Sequence, residues 1–353
     1  MAWTRKLPSG RYQGQYRDKG GRVRTTGTFA RKGDARDAGD DQEAKMRRGQ
    51  WLDPALARTS FEEWAQRWLE GARPTLKPKT LASYESLLRS RVLPAFGAAP
   101  VVAIKPSDVT AWIGAMVKED LSPSRIRQAH VVLRLVLDSA MRDGYVARNA
   151  ALGIKLPRLA HTEAPYFSPE VVDTLVQGIE SPYGALVAVM GICGLRWGEA
   201  AALRGRHVDR LRRRLIVEES LAEISGRLIF GATKSHARRK VPVPATLVAR
   251  LPATYPDGLL FTAPKGGPLR YQNFLARVWH PTLKSLGLPV VGVHVLRHSA
   301  AARMIQAGAS AKTLQTVLGH RSASFSLTVY GHLFDADLDA LADRLDIPER
   351  KAE

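Results

Sequence analysis

The spacing of apolar positions changes along the chain from strand-like, to helical, to mixed. Arg11-Tyr-Gln-Gly-Gln-Tyr-Arg17 reads as a strand, with Tyr12 and Tyr16 an even number of positions apart and therefore on one face. Asp18-Lys-Gly-Gly21 supplies a turn, and Arg22 to Thr28 reads as a second strand. Ala35 to Arg48 then predicts a helix ending near Gly49. Together these make a small sheet-plus-helix module over residues 1–57.

From residue 58 the apolar positions recur at helical spacing. Ser60-Phe-Glu-Glu63 matches a capping box, and Phe61, Trp64, Ala65, Trp68 and Leu69 follow on one helix face. Thr80 to Val92 predicts a second helix, with Leu81, Tyr84, Leu87 and Leu88 aligned. Pro106 starts a third, which reaches Lys118. Ser122-Pro123 opens a long fourth, striped by Ile126, Ala129, Leu133, Val136 and Leu137. Residues 58–152 are therefore expected as an all-helical domain. Residues 153–164 carry Pro157 and little periodicity, and read as a linker.

Beyond 165 the pattern is mixed. Helices are predicted over Pro169–Ile179, Tyr183–Gly191, Gly198–Leu203, Ala245–Leu251, Gln272–Leu286, His294–Gln306, Ala311–Leu318, Ser324–Leu333 and Asp335–Leu345. Strands are predicted over Arg214–Glu219, Gly226–Thr233 and Arg239–Val243. The fold class expected is multidomain and mainly α with small β-sheets. A β-sheet-plus-helix N-terminal module and an all-α domain precede a mixed α+β domain over 165–353.

Charge narrows the function. The 353 residues hold 53 Lys+Arg against 33 Asp+Glu, a net +20. A chain this basic carries a polyanion footprint, with nucleic acid the first candidate. Residues 1–30 concentrate it, with Arg5, Lys6, Arg11, Arg17, Lys19, Arg22 and Arg24 against Asp18 alone. We expect Arg11, Arg17, Lys19, Arg22 and Arg24 to contact DNA. A single cysteine, Cys193, excludes an intrachain disulfide and any multi-cysteine zinc site. No apolar run approaches the ~20 residues of a membrane span, and no secretory signal is visible. A cytoplasmic protein without membrane partners is expected.

Polar pieces interrupt the apolar text of the last domain. They are Gly194-Leu-Arg196-Trp-Gly-Glu199, Thr233-Lys234-Ser235, His294-Val-Leu-Arg297-His298, Leu318-Gly-His320 and Val329-Tyr330-Gly-His332. Singly each is weak. In His-x-x-Arg the two side chains share a helix face and can address one ligand, but so can a plain surface pair. In this order and spacing they resemble the tyrosine site-specific recombinases, the family of phage integrases. The resemblance covers residues 165–345 closely. It extends less specifically over 58–152 as a core DNA-binding domain, and over 1–57 as an arm-binding domain.

The resemblance implies a set of roles. Arg196 and Arg297 clamp the non-bridging oxygens of a phosphodiester, for which the planar guanidinium fork is suited. Tyr330 is the nucleophile and needs activation, its ordinary pKa being ~10. His294 is the general acid/base, His320 hydrogen-bonds the phosphate, and Lys234, at a hairpin turn between Gly226–Thr233 and Arg239–Val243, protonates the leaving 5′-oxygen. Glu199 orients a histidine or arginine. Arg238, Arg239 and Lys240, on the same hairpin, are further cations able to approach DNA. Val295 departs from the family, which often has an acid there. His298 and His332 fit family positions and read as structural hydrogen-bonding partners. No cofactor is implied: a phosphotyrosine stores the energy of the broken bond, and no Gly-rich phosphate loop is present. A zinc reading of His294, His298, His320 and His332 is weakened by cationic Arg297 and by the lack of H-E-x-x-H.

The partners implied are duplex attachment sites, a homotetramer assembled on them, and accessory DNA-bending and directionality proteins. Asp335–Leu345 packs on a neighbouring protomer or caps its own chain. A recombinase that resolves chromosome or plasmid dimers is the nearest alternative, and would resemble residues 58–345 without the basic module. A DNA-binding protein without catalysis is another, against which the whole set Arg196, Lys234, His294, Arg297, His320 and Tyr330 speaks.

Overall fold

In the computed structural model the described residues are 2–18, 20–48, 51, 58–159, 165–224, 226–232, 238–320, 322–333 and 345. They fall in two compact units, 1–160 and 161–353, whose boundary lies inside the expected linker.

The first unit opens with an antiparallel sheet of order β1-β2-β3, formed by β1 (Trp3–Lys6), β2 (Tyr12–Arg17) and β3 (Val23–Phe29). The β2–β3 hairpin matches the sequence pattern. β1 was not expected, because Trp-Thr-Arg-Lys is short and has no apolar alternation; it is held by pairing with Tyr12–Gln15. The turn is built on Asp18, whose Oδ1 accepts the N–H groups of Gly20 and Arg22 at 2.9 Å each. Helix α1 (Lys32–Arg47) follows.

The helical part begins with α2 (Phe61–Ala72). Its capping box is formed: Glu63 N–H donates to Ser60 Oγ at 3.2 Å and Ser60 N–H to Glu63 Oε2 at 3.1 Å. Helix α3 (Pro78–Leu87) starts before Thr80 and continues through a π-turn (Leu88–Val92) into α4 (Leu93–Phe96). Helices α5 (Pro106–Lys118) and α6 (Pro123–Arg142) complete the set. Phe61, Trp64, Leu87, Ile126, Leu133, Val136 and Leu137 are buried in one apolar cluster. Each such side chain contributes about 1.5–3 kcal/mol over an exposed one.

The second unit starts with α7 (Pro169–Gly178), α8 (Tyr183–Gly191) and α9 (Trp197–Ala201). Every residue from Gly184 to Gly191 is buried, which makes α8 a core helix. Strands β4 (Val208–Asp209), β5 (Arg214–Val217), β6 (Glu219–Ile224), β7 (Arg227–Ala232) and β8 (Arg239–Pro242) follow. Then come α10 (Ala245–Arg250), α11 (Tyr271–Phe274), a π-turn (Leu275–Trp279), α12 (His280–Ser285), α13 (His294–Gln306), α14 (Ala311–Leu318) and α15 (Ala323–Tyr330).

Several expectations are corrected. Arg214–Glu219 is not one strand: β5 pairs with β4 and β8, whereas β6 pairs with β7 in a separate hairpin. The strands on either side of Lys234 therefore belong to different sheets and form no hairpin together; Lys234 itself lies outside the described residues. The helix expected to reach Leu203 ends at Ala201, where the last turn tightens: the N–H groups of Ala202 and Leu203 donate to Glu199 and Ala200, three residues back, at 3.3 and 3.2 Å. Asp335–Leu345 lies outside the described residues, Leu345 excepted.

Candidate active site

The site begins at Gly194. Its φ of +74° turns the chain from α8 towards α9, and a Cβ there would meet Leu318 Cδ2 at 2.5 Å, so glycine is required on both counts. Arg196 then stands at the head of α9. Its backbone N–H donates to Glu199 Oε2 and its Nη1 to Glu199 Oε1, each at 2.9 Å. Glu199 is 2% exposed and accepts two further bonds from Arg239, Nη1 to Oε1 at 3.0 Å and Nη2 to Oε2 at 2.6 Å. Arg239 Nε also donates to the Val317 carbonyl at 2.9 Å. Burial alone would raise the Glu199 pKa; the hydrogen bonds and charge of Arg239, the Arg196 amide and the Arg196 charge outweigh it, and the net shift is downward.

Helix α13 supplies the next face, with His294, Arg297 and His298 at helical spacing. Arg297 is 2% exposed and donates from Nη1 to the Gly194 carbonyl and from Nη2 to the Leu318 carbonyl, each at 2.6 Å. Two of its five N–H groups are used in this way. Burial first, and Arg196 next, push its pKa down to about 9, which leaves it a cation at neutral pH.

Helix α14 ends in Gly319, whose φ of +67° closes a left-handed cap and turns His320 towards α15. His320 Nδ1 lies 2.8 Å from Ser326 Oγ. Tyr330, the last residue of α15, is 3% exposed, and its hydroxyl lies 2.8 Å from His298 Nδ1. Its ring stacks on His320 with centroids 6.3 Å apart, and the His294 and His298 rings meet edge-on at 5.0 Å. A cavity of about 130 Å³ is lined by Arg196, His294, Arg297, His298, His320, Phe325, Val329 and Tyr330.

The electrostatics follow from burial beside two arginines. Burial, then His294 and Arg297, lower the His298 pKa to about 4. Burial, then Arg297 and Arg196, do the same to His320. His294 is lowered by burial, Arg297 and Arg196. The imidazoles are thus neutral near pH 7 and act as hydrogen-bonding groups. Burial raises the Tyr330 pKa against the opposing field of Arg297 and Arg196. The arrangement presents a neutral phenol and neutral imidazoles beside fixed cations, which suits transfer of an anionic phosphoryl group to oxygen. His207, Glu218 and Glu219 bring ligand atoms within 4.8 Å of one another elsewhere in the unit. Their carboxylates are engaged by Arg204, Arg206 and Arg238, so the group is an ion-pair network.

The "Phage integrase family" profile matches residues 165–337, and the "Phage integrase, N-terminal SAM-like domain" profile matches residues 60–117. The chain belongs to the phage integrase family. It is 28% identical over 286 residues to the integrase of Mycobacterium phage FRAT1, covering 77% of this chain and 84% of that one. Its fold resembles the Tn1549 transposon integrase solved with transposon right end DNA, with a TM-score of 0.68 and 21% identity over 81% of this chain and 99% of that one. It also resembles a lambda integrase tetramer bound to a Holliday junction, with a TM-score of 0.57 and 18% identity over 91% of this chain and 96% of that one. The chain is a site-specific recombinase of integrase type.

Within this integrase fold, Arg196, His294, Arg297, His320 and Tyr330 line one cavity, with Glu199 directly behind Arg196. Arg239 does not face outwards as a DNA contact, as its position in an Arg-Arg-Lys run suggested; it is buried on Glu199. His298, taken from the sequence as structural, touches the Tyr330 hydroxyl. Its place one residue after Arg297 and four after His294 was the available signal. Ser326 was missed altogether. In the N-terminal sheet Arg11, Arg17 and Arg22 are exposed, Arg24 is ion-paired to Asp18 at 2.9 Å, and Lys19 lies outside the described residues.

Proposed function

We propose that this integrase cuts and rejoins duplex DNA at attachment sites through a 3′-phosphotyrosine at Tyr330, and so inserts and excises phage or mobile-element DNA. The observation that carries the reading is the single cavity lined by Tyr330 together with Arg196, Arg297 and the histidines. Tyr330 Oη attacks the scissile phosphorus and the bond to the 5′-oxygen breaks. Arg196 and Arg297 hold the non-bridging oxygens and stabilise the charge of the pentavalent transition state. His320 hydrogen-bonds the same phosphate, His294 serves as acid/base, and Lys234 protonates the departing 5′-oxygen. Glu199 fixes the Arg196 guanidinium. The phosphotyrosine conserves the bond energy, and the 5′-hydroxyl of a partner strand reverses the step.

Exchange between two duplexes needs four such sites, and the fold it shares with the lambda integrase tetramer supports assembly as a homotetramer on DNA. Residues 58–152 would grip the core site, and residues 1–57 would hold a second site through their exposed arginines. That basic module favours an integrase over a dimer-resolving recombinase. DNA-bending and directionality proteins would join the complex, in the cytoplasm of a bacterial host. The test is covalent trapping on attachment-site duplex. Wild-type chain should yield an adduct mapped to Tyr330, and Tyr330→Phe none while still binding DNA. Attachment at another tyrosine, or at serine, would overturn the assignment.

A further inference from the structure

We infer that His298 is a catalytic residue, the acceptor of the Tyr330 proton when the phenol attacks. The inference rests on the recombinase reading with Tyr330 as nucleophile, and moves the acceptance of the phenol proton from His294, the acid/base of that reading, to His298. A phenol must lose its proton as its oxygen bonds to phosphorus. Tyr330 is almost fully buried, so bulk water has little access to that proton. Among the described residues the only side chain hydrogen-bonded to its hydroxyl is His298, at 2.8 Å. His320 directs Nδ1 to Ser326 Oγ, and no hydrogen bond joins His294 to Tyr330 among the described residues. His294 instead stands edge-on behind His298.

The surroundings keep any proton taken up by His298 short-lived. His298 is faced by Arg297 and His294 on its own helix, by Tyr330 on α15, and by Arg196 and His320 across the cavity. Burial first, then His294 and Arg297, keep the resting imidazole neutral, and in the tautomer with its hydrogen on Nε2 it can accept the phenol proton at Nδ1. On attack the Oη–P bond forms, the Oη proton moves to His298 Nδ1, and the P–O5′ bond breaks. The departing 5′-oxygen takes its proton from a separate donor, the role proposed above for Lys234. The imidazolium so formed sits among positive charges and gives its proton back when a 5′-hydroxyl attacks and the tyrosine oxygen leaves. One group thus serves as base in cleavage and acid in rejoining.

The test uses the full chain and nicked duplexes that carry the junction sequence flanking the integrated element. One duplex has the ordinary 5′-oxygen at the crossover phosphate and a second has a bridging sulfur, which leaves without protonation. His298→Asn keeps a hydrogen-bonding oxygen near the Nδ1 position but takes up no proton at neutral pH. Single-turnover adduct formation should fall by about 10²–10³-fold near pH 7. The sulfur duplex should not restore it, and the variant's rate should climb about tenfold per pH unit while the wild type stays level between pH 6 and 8. Adduct formation within a few-fold of wild type would show that a hydrogen bond suffices and would overturn the inference. Recovery on the sulfur duplex would place His298 on the leaving group instead, and would overturn it too. His298→Gln, measured in the same way, replaces the Asn variant if that one fails to fold. Absence of any adduct from the wild type on both duplexes would mark failure of the recombinase reading itself.

Discussion

Replacing Arg239 by methionine isolates the buried pair behind Arg196. The substitution keeps much of the side-chain length but leaves Glu199, 2% exposed, without the two bonds it accepts from Arg239. Removing one partner of a buried ion pair costs about 3–5 kcal/mol, because the other charge stays buried. Glu199 keeps its bonds from Arg196, so the lower end, about 3 kcal/mol, is expected. A unit of this size loses about 2–4 °C of Tm per kcal/mol, which predicts a fall of about 6–12 °C in the transition of residues 161–353 by scanning calorimetry. The pH dependence gives a second readout. In the wild type the depressed Glu199 pKa contributes stability above the unfolded value, ~4.3, and that is lost as pH falls through the folded value. Without Arg239 burial prevails, the folded pKa moves above the unfolded one, and the deficit should narrow on acidification. Glu199→Gln in the Arg239→Met background should cost less than the two single changes added. A Tm drop below about 2 °C that ignores pH would refute the account of the pair.

Three further outcomes are expected. His298 and His320, both held at about 4, favour the folded state above the unfolded histidine value, ~6.5, and that stability should be lost as pH falls from there through about 4; a Tm of the second unit that stays level between pH 7 and 4 would contradict this. Cleavage should persist in excess chelator, because Arg196 and Arg297 supply fixed positive charge at the phosphate; loss of activity that returns only with magnesium or zinc would overturn the mechanism. Changing the exposed Arg11, Arg17 and Arg22 together to alanine should lower the slope of log affinity against log salt by up to about 2.7, at about 0.9 per phosphate contact. Arg24→Ala, which breaks the ion pair to Asp18, should disturb the turn more than that slope.

Local rules made the helical part of the first unit readable. The Ser60/Glu63 box, the proline at the first position of α5 and the stripe on α6 each act within a few residues, and each is found where the spacing put it. The site was readable because its motifs lie on such elements. What failed was non-local. Glu218 separates β5 from β6, and nothing in Arg-Leu-Ile-Val-Glu-Glu-Ser marks a change of sheet; only the partners β8 and β7 decide it. Arg239 sits in a charged run that promises solvent, but Glu199, 40 residues earlier, draws it into the core. The His298 contact spans 32 residues, beyond the reach of any periodicity.

The two carbonyls held by Arg297 come from Gly194 and Leu318, 103 residues before it and 21 after it. The second of these bonds cannot form until the chain has been made past Leu318, and the proposed nucleophile follows only at Tyr330. During synthesis on the ribosome the proposed cleavage centre is therefore completed only after nearly all the described elements of the second unit have been made. A nascent or truncated chain can hold the earlier elements without being able to open a phosphodiester. The order of residues along the polypeptide thus makes completion of the site a late event in synthesis.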